Sequence, residues 1–596
     1  MGKSVDKKRK HEEEVEESYD GEEENYNEEE NYDEEENYNE EENEETEDSN
    51  YDADSTSQPD KKKIKMEKKS KAVKRQEKVE RKTKIDQFFP IVNDAKLIWI
   101  KLKETKKDKD ERAKLSQELF NKLKGNMLNV VLKHDASRFV QTLLKYGTHD
   151  HRLQIFQELK GHEILISKGH YGRFLVLKLL KYGDKEHRDK IIQTYYGKIF
   201  NLISHKESAK IVEYIYAEIA DKVQKTAIVE EFYGSEFRLF KSKTPRTLSQ
   251  YLAENPNKQQ ALLENLTNSL TKLLSSKGEH LAKFTIIHHI LNEFFKHAPT
   301  ESCVDMAETL SSIILPMLHT KEGAMVGYYV ASYGTPKTRK AIVKSLKGFF
   351  PEVAEQEFGY LLLVRLLDVV DDTQLLIKSV INELLPKLPQ LAVNKYGYLW
   401  IMQILAPYTP QNFSAPTIQL MSLNMKSSSA SEEFSISKKD RPVRRKELLA
   451  FIGPKLLELC NNHTEELVSS KWGMRVLCQT LSKVEGSKKS LMKKILSFMT
   501  PELFNGETGS LIQSLLKSEY VKTDTEFSVG MLKQFQWLSL ALKSSNTVFV
   551  YRDLLNVIPD DNSDKQKAVA ELKKSAKQLQ ATKYPGVDSL LNLKKA

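Results

Sequence analysis

Lys133-His134-Asp135-Ala136-Ser137-Arg138-Phe139-Val140-Gln141-Thr142-Leu143-Leu144-Lys145-Tyr146-Gly147 is followed 36 residues later by Gly169-His170-Tyr171-Gly172-Arg173-Phe174-Leu175-Val176-Leu177-Lys178-Leu179-Leu180-Lys181-Tyr182-Gly183. A weaker copy, His205-Lys206-Glu207-Ser208-Ala209-Lys210-Ile211-Val212-Glu213-Tyr214-Ile215-Tyr216, comes after another 36 residues. The shared Leu-Leu-Lys-Tyr-Gly at one fixed offset marks an internal repeat. A period of this size predicts an all-α solenoid, whose units bury their apolar faces only by stacking on neighbours.

Each copy carries a pentad on a predicted helix: 137–141, 173–177 and 209–213. At about 100° per residue, the first, second and fifth members share one face and the third and fourth point elsewhere. The third and fourth are Phe139/Val140, Leu175/Val176 and Ile211/Val212, all apolar and suited to a core. The other three are mostly polar or basic. Stacked units would therefore repeat one polar face along the array, a geometry for binding a polymer.

These pentads resemble those of the PUF (Pumilio) repeat family. In that family the first and fifth residues reach a base edge of single-stranded RNA and the second stacks between bases. The resemblance implies that Ser137, Arg138 and Gln141 form an adenine-reading set. The other copies depart from that code: Leu177 cannot hydrogen-bond a base edge, and Ala209, Lys210 and Glu213 match no reading combination.

Charge is unevenly placed. The 596 residues carry 92 Lys/Arg and 85 Asp/Glu, net +7, but residues 11–60 hold 26 acidic residues and no Lys or Arg. Residues 61–596 thus contain 87 basic and 58 acidic residues. A basic body points to an anionic partner such as nucleic acid. Residues 1–60, with their repeated Asn-Tyr-Asn/Asp-Glu motif and few aliphatic residues, are expected to be a disordered acidic tail. Residues 61–94 form a basic linker, and with Lys7-Lys8-Arg9-Lys10 they read as nuclear-localisation signals. No apolar run is long enough to predict a membrane span. Cys303, Cys460 and Cys478 are too widely spaced for a disulfide frame or a zinc site. The adjacent His288 and His289 point about 100° apart and cannot share one ion.

From about Asp94 onward the apolar spacing is helical. A further unit is expected near Glu230–Phe237 and another from Lys277. Later stretches are His319–Gly327 with Gly334-Thr335-Pro336-Lys337, and Glu357-Phe358-Gly359-Tyr360 with Asp368-Val369-Val370-Asp371-Asp372-Thr373. With Asn394-Lys395-Tyr396-Gly397 and Arg444-Arg445-Lys446-Glu447, these are similar to the Puf-A/Penguin branch over roughly residues 120–560. That resemblance implies a bent, L-shaped solenoid and a nucleolar role in large-subunit assembly and pre-rRNA processing, binding RNA or DNA with little sequence preference beside pre-60S proteins. The expected organisation is a first array over 95–423, a Ser-rich and basic linker over 424–446, a second array over 447–560 and a Lys-rich helix and tail over 561–596. Lys471-Trp472-Gly473-Met474-Arg475 repeats the unit opening in the second array, with Trp472 assigned to the core.

Lys178, Lys181, Lys206, Lys210, Lys395, Lys471 and Arg475 are the expected phosphate contacts, and Arg173, Phe174 and Tyr396 the expected stacking residues. A monomer without a cofactor is expected. A translational repressor of specific mRNAs would need intact pentads in consecutive units, and a protein-binding adaptor would not call for the basic pentads. No phosphate loop, His-Glu-x-x-His pattern or nucleophile setting suggests an enzyme.

Overall fold

A computed structural model describes residues 87–104, 108–133, 136–422 and 437–593. Among these the secondary structure is helical, without strands. The acidic tract, the basic run at 61–84 and most of the Ser-rich stretch lie outside the described residues.

The chain is a stack of units in which one longer helix of each unit packs on the next. Ten such row helices occur in order: α1 (Ser137–Tyr146), α2 (Gly172–Tyr182), α3 (Lys206–Tyr214, continuing as a wider turn through Ile219), α4 (Thr285–His297), α5 (Lys321–Tyr333), α6 (Tyr360–Val369), α7 (Leu399–Leu405), α8 (Lys471–Lys483), α9 (Gly506–Leu516) and α10 (Ser545–Val557). Each touches its predecessor and its successor. The helices Phe89–Glu104 and Lys109–Leu123 cover the free side of α1, and Val587–Leu591 packs on α10. The third and fourth pentad members, Phe139/Val140, Leu175/Val176 and Ile211/Val212, are buried as the periodicity requires.

Within a unit a short helix precedes the row helix, and the two approach closely at one point. A β-carbon added to Gly323 would fall 1.9 Å from the Met317 carbonyl oxygen, six residues back. The same holds at Gly172, Gly359, Gly397 and Gly473, at 2.2–2.8 Å from Ile166, Val353, Leu391 and Leu467, and at Gly509, 2.3 Å from the Phe504 carbonyl five residues back. Ala136, Ser208 and His288 stand at this place in units 1, 3 and 4. Ser208 Oγ donates to the Leu202 carbonyl at 2.8 Å and His288 Nε2 to that of Ala282 at 2.7 Å. His288 is thus a neutral imidazole inside the fold, held at about 4 by burial.

The row helices α1, α2 and α5 end at Tyr-Gly, and a third helix starts within two residues. Thr148, Asp184, Asp221 and Thr335 cap those third helices with side-chain oxygens. Basic residues on the third helices then return to the exposed carbonyls at the row-helix ends: Arg152 Nε to Leu144 at 2.9 Å, Arg188 to Gly183 at 2.8 Å, Arg339 to Ala331 at 2.9 Å and Lys488 Nζ to Leu481 at 2.7 Å.

Three expectations change. Residues 230–281 do not insert a separate unit: α4 stacks directly on α3, whose Glu213 carboxylate accepts the Thr285 and Ile286 amides at 2.7 and 3.3 Å. The intervening chain forms Ser235–Leu239, Leu248–Glu254 and the long helix Gln259–Leu281, which buries Leu262, Leu266, Leu270 and Leu273 against α4 and its third helix. The helix preceding α8 starts at Arg441, inside the expected linker, because Arg444 is buried and anchored. Its guanidinium donates to the Val370 carbonyl at 2.8 Å, to Asp371 Oδ1 at 2.8 Å and to the Asp368 carbonyl. The stretch after 560, expected as one helix and a tail, forms the helix Ser563–Lys574 followed by Ala576–Ala581 and Val587–Leu591, burying Leu572, Leu579 and Leu590.

Two outcomes follow from this packing. Gly323→Ala lowers unfolding free energy by about 1–3 kcal/mol through overpacking, whereas Gly169→Ala, whose β-carbon meets nothing nearer than 3.4 Å, stays within about 0.5 kcal/mol of wild type in urea titrations. Equal losses would contradict the close approach. Burial alone would raise the Asp371 carboxyl, but hydrogen bonds from Ser437, the Lys438 and Lys439 amides and Arg444 outweigh it and hold it down at about 2. A depressed carboxyl stabilises the fold above its unfolded value and loses that contribution as pH falls. The melting temperature of Asp371→Asn therefore lies below wild type at pH 7, and the gap closes between about pH 4 and 2. A gap constant with pH would refute the anchor.

Candidate nucleic-acid interface

Counting from the close-approach residue gives every unit the same register. Two places beyond it, and again at six and nine, side chains of one row-helix face come into line. In α1 these are Arg138, Thr142 and Lys145, in α2 Phe174, Lys178 and Lys181, and in α3 the first is Lys210. All are half-buried. Two places before the close-approach residue stand Lys206, Lys321, Lys395 and Lys471, all exposed. The units thus present a strip along the row helices and a lysine rim at their N-terminal ends.

The strip and rim meet at unit 3. Burial first, and then the cations Arg173, Lys283 and Lys206, lower the Lys210 pKa, with Glu207 opposing. His280 is likewise pushed down by burial and by Lys283, Lys210 and Lys206. A lysine held among three other cations is a place where an anion is stabilised. Lys283 was not singled out in the sequence, because the long helix before α4 breaks the 36-residue spacing that would have aligned it with the earlier units.

Several expected contact residues serve the stack instead. Ser137 is buried and its Oγ donates to the Tyr171 carbonyl at 3.3 Å, while Gln141 Nε2 donates to Ser137 Oγ at 3.1 Å and reaches the same carbonyl at 3.5 Å. Both side chains are therefore committed between units 1 and 2. Arg173 is buried and ion-paired with Glu207 of the next unit, which also accepts from His170 at 3.2 Å, and its guanidinium lies 4.4 Å from the Phe174 ring. Arg475 is buried, bound to Asn412 Oδ1 at 3.2 Å and to Glu507 at 3.1 Å. At Ser137 and Arg173 the fold forces this: the first pentad member lies on the seam between row helices, where a polar side chain needs a partner.

Aromatic side chains cluster farther along the rim. Tyr396 lies parallel to Tyr360, ring centroids 6.1 Å apart, and Lys395 Nζ sits 4.7 Å from its ring and 2.8 Å from its hydroxyl. Trp472, expected in the core, is only half-buried: it stacks on Tyr398 at 5.0 Å beneath Lys471 Nζ at 4.2 Å. His289 pairs with Glu322 at 2.8 Å and His288 is interior, so the adjacent histidines point apart as expected. Among the described residues no cluster of His, Cys, Asp and Glu could hold a metal ion.

Comparison with known proteins agrees with this architecture. Residues 136–160 and 164–193 match the Pumilio-family RNA binding repeat, and residues 393–535 match the CPL (NUC119) domain. Pumilio homolog 3 of Rattus norvegicus is 30% identical over 418 residues, covering 70% of this chain and 63% of the relative. The chain thus spans under two thirds of that relative's length. Pumilio homolog 3 of Danio rerio is 33% identical over 425 residues, covering 71% and 66%. The crystal structure of human Puf-A in complex with DNA is similar at TM-score 0.71 and 28% identity, covering 84% of this chain and 99% of that one. The chain belongs to the Puf-A/Penguin branch of the Pumilio repeat family.

Proposed function

We propose that this protein binds RNA through the basic strip of units 1–3 and the adjoining Lys283, holding phosphates rather than reading bases. The observation that carries this is the placement of Arg138, Lys178, Lys181, Lys206, Lys210 and Lys283 around consecutive row helices, while Ser137 and Gln141 spend their donors on the Tyr171 carbonyl. Phosphate contacts position a strand without carrying sequence information. Phe174, at the outer end of the strip, offers a ring on which any base can stack. The human Puf-A structure, which is described with DNA, supports a surface that accepts more than one nucleic acid.

The biological setting that goes with this activity is a nucleolar scaffold in large-subunit assembly and pre-rRNA processing, beside proteins of the pre-60S particle. The basic runs at 7–10 and 61–84 supply the nuclear address.

The test is binding of the full chain to a random single-stranded RNA pool, an RNA duplex and a DNA duplex. Affinities within about tenfold of one another, each falling steeply with salt, are the expected result. Gln141→Ala leaves the selected pool as unbiased as the wild type does. An enriched adenine-containing motif that Gln141→Ala abolishes would contradict phosphate-led binding, and no binding to any of the three at low salt would refute nucleic-acid binding altogether.

A further inference from the structure

The strip that faces outward in units 1–3 is covered in units 5–7. At the same register positions, Tyr329 and Ser332 of α5, Leu361, Arg365 and Asp368 of α6, and Leu399 and Gln403 of α7 are buried, while Met325 and Ala406 are half-buried. The cover is this chain's own segment after α7. The Tyr408 hydroxyl donates to Asp368 Oδ1 at 2.6 Å, and the Asn412 carbonyl accepts from the Tyr398 hydroxyl at 3.3 Å. Asn412 Oδ1 takes the Arg475 guanidinium, the Thr417 hydroxyl bonds Tyr360, and the Leu420 carbonyl accepts from the buried Tyr328 hydroxyl at 2.7 Å. Tyr328 is a fifth pentad member, Tyr360 and Tyr398 are first members, and Arg475 is a second member of its unit. The segment therefore bonds the pentad positions that line the polymer path in four successive units.

We propose that residues 408–421 are a permanent internal occupant of this face, so that a bound strand places bases only on the strip of units 1–3, while units 5–8 offer its phosphates only the rim lysines Lys321, Lys395 and Lys471. This rests on the nucleic-acid reading above. Both ends of the segment are fixed. Tyr408 holds its start on Asp368, and at its end Arg441 reaches both Asp368, at 3.3 Å, and the Met421 carbonyl, at 3.5 Å. Lifting it would expose Phe413, Leu420 and Met421, and would strip partners from Tyr328, Asp368 and Arg475. Two or three stacked bases do not replace that apolar burial. The occupant also explains why the pentads of units 5–7, such as Tyr360-Leu361-Leu362-Leu363-Val364, are apolar: they face protein, not bases.

The experiment is photocrosslinking of the full chain to a 4-thiouridine-containing oligouridine 20-mer, with crosslinked peptides mapped by mass spectrometry. Crosslinks in α1–α3 and around Lys283, with none in Met325–Ser332, Leu361–Asp368 or Leu399–Gln403, are expected. Crosslinks inside those three stretches would overturn the inference while leaving nucleic-acid binding intact, and no crosslinks anywhere would overturn both. A second arm tests permanence. In the double variant Tyr360→Cys and Thr417→Cys, bridging the two thiols with bismaleimidoethane ties the segment down. RNA affinity within twofold between the bridged and unbridged forms is expected, and a tenfold or greater loss on bridging would show that the segment must lift.

Discussion

The solenoid depends on one contact that recurs in units 2–9: the carbonyl that ends the short first helix presses against the start of the row helix. With glycine there, the backbones meet at a distance no β-carbon could occupy. Where glycine is absent, Ser208 and His288 donate to that same carbonyl, so the contact is kept by a hydrogen bond instead of by bare backbone. This contact sets the angle at which the row helix leaves its unit. It therefore fixes which residues fall on the seam, which on the strip and which on the rim. Because each row helix packs on the row helices before and after it, the same register carries from unit to unit.

That register also sorts the positive charge. The excess of basic over acidic residues beyond position 60 is not all available to a ligand. Arg152, Arg188, Arg339 and Lys488 neutralise carbonyls at row-helix ends. Arg173 and Arg475 join consecutive units through Glu207 and Glu507, and Arg444 anchors a long helix on the Asp368–Asp371 turn. Carboxylates do the matching work at the other end of each unit: Glu231 and Glu383 accept the amides of Gly197 and Gly348, where the chain takes a left-handed turn into the next short helix. What remains on the strip is concentrated in units 1–3, at Arg138, Lys145, Lys178, Lys181 and Lys210.

Much of this was legible in the sequence. The 36-residue repeat, the buried third and fourth pentad members and the row helices all follow from periodicity, because stacking imposes the same burial on every copy. The Tyr-Gly openings were visible as a motif, though their meaning as a close approach needs coordinates. What periodicity could not reveal is which polar residues face inward across the seam. Ser137 and Gln141 look like base readers in one unit alone, and only the neighbouring Tyr171 carbonyl shows where their donors go. Lys283 was hidden by the long helix Gln259–Leu281, which interrupts the spacing. The cover over units 5–7 was hidden for the opposite reason: residues 408–421 carry no repeat signal, and their role lies in contacts up to 92 residues away.

The central claim is that the strip of units 1–3 holds phosphates. The most direct measurement is the slope of log affinity against log salt for single-stranded RNA, comparing the wild-type chain with the triple variant Lys178→Ala, Lys181→Ala and Lys210→Ala. Loss of three phosphate contacts predicts a slope shallower by about 2, with weaker binding to every sequence alike. An unchanged slope, or a loss confined to one sequence, would contradict the account.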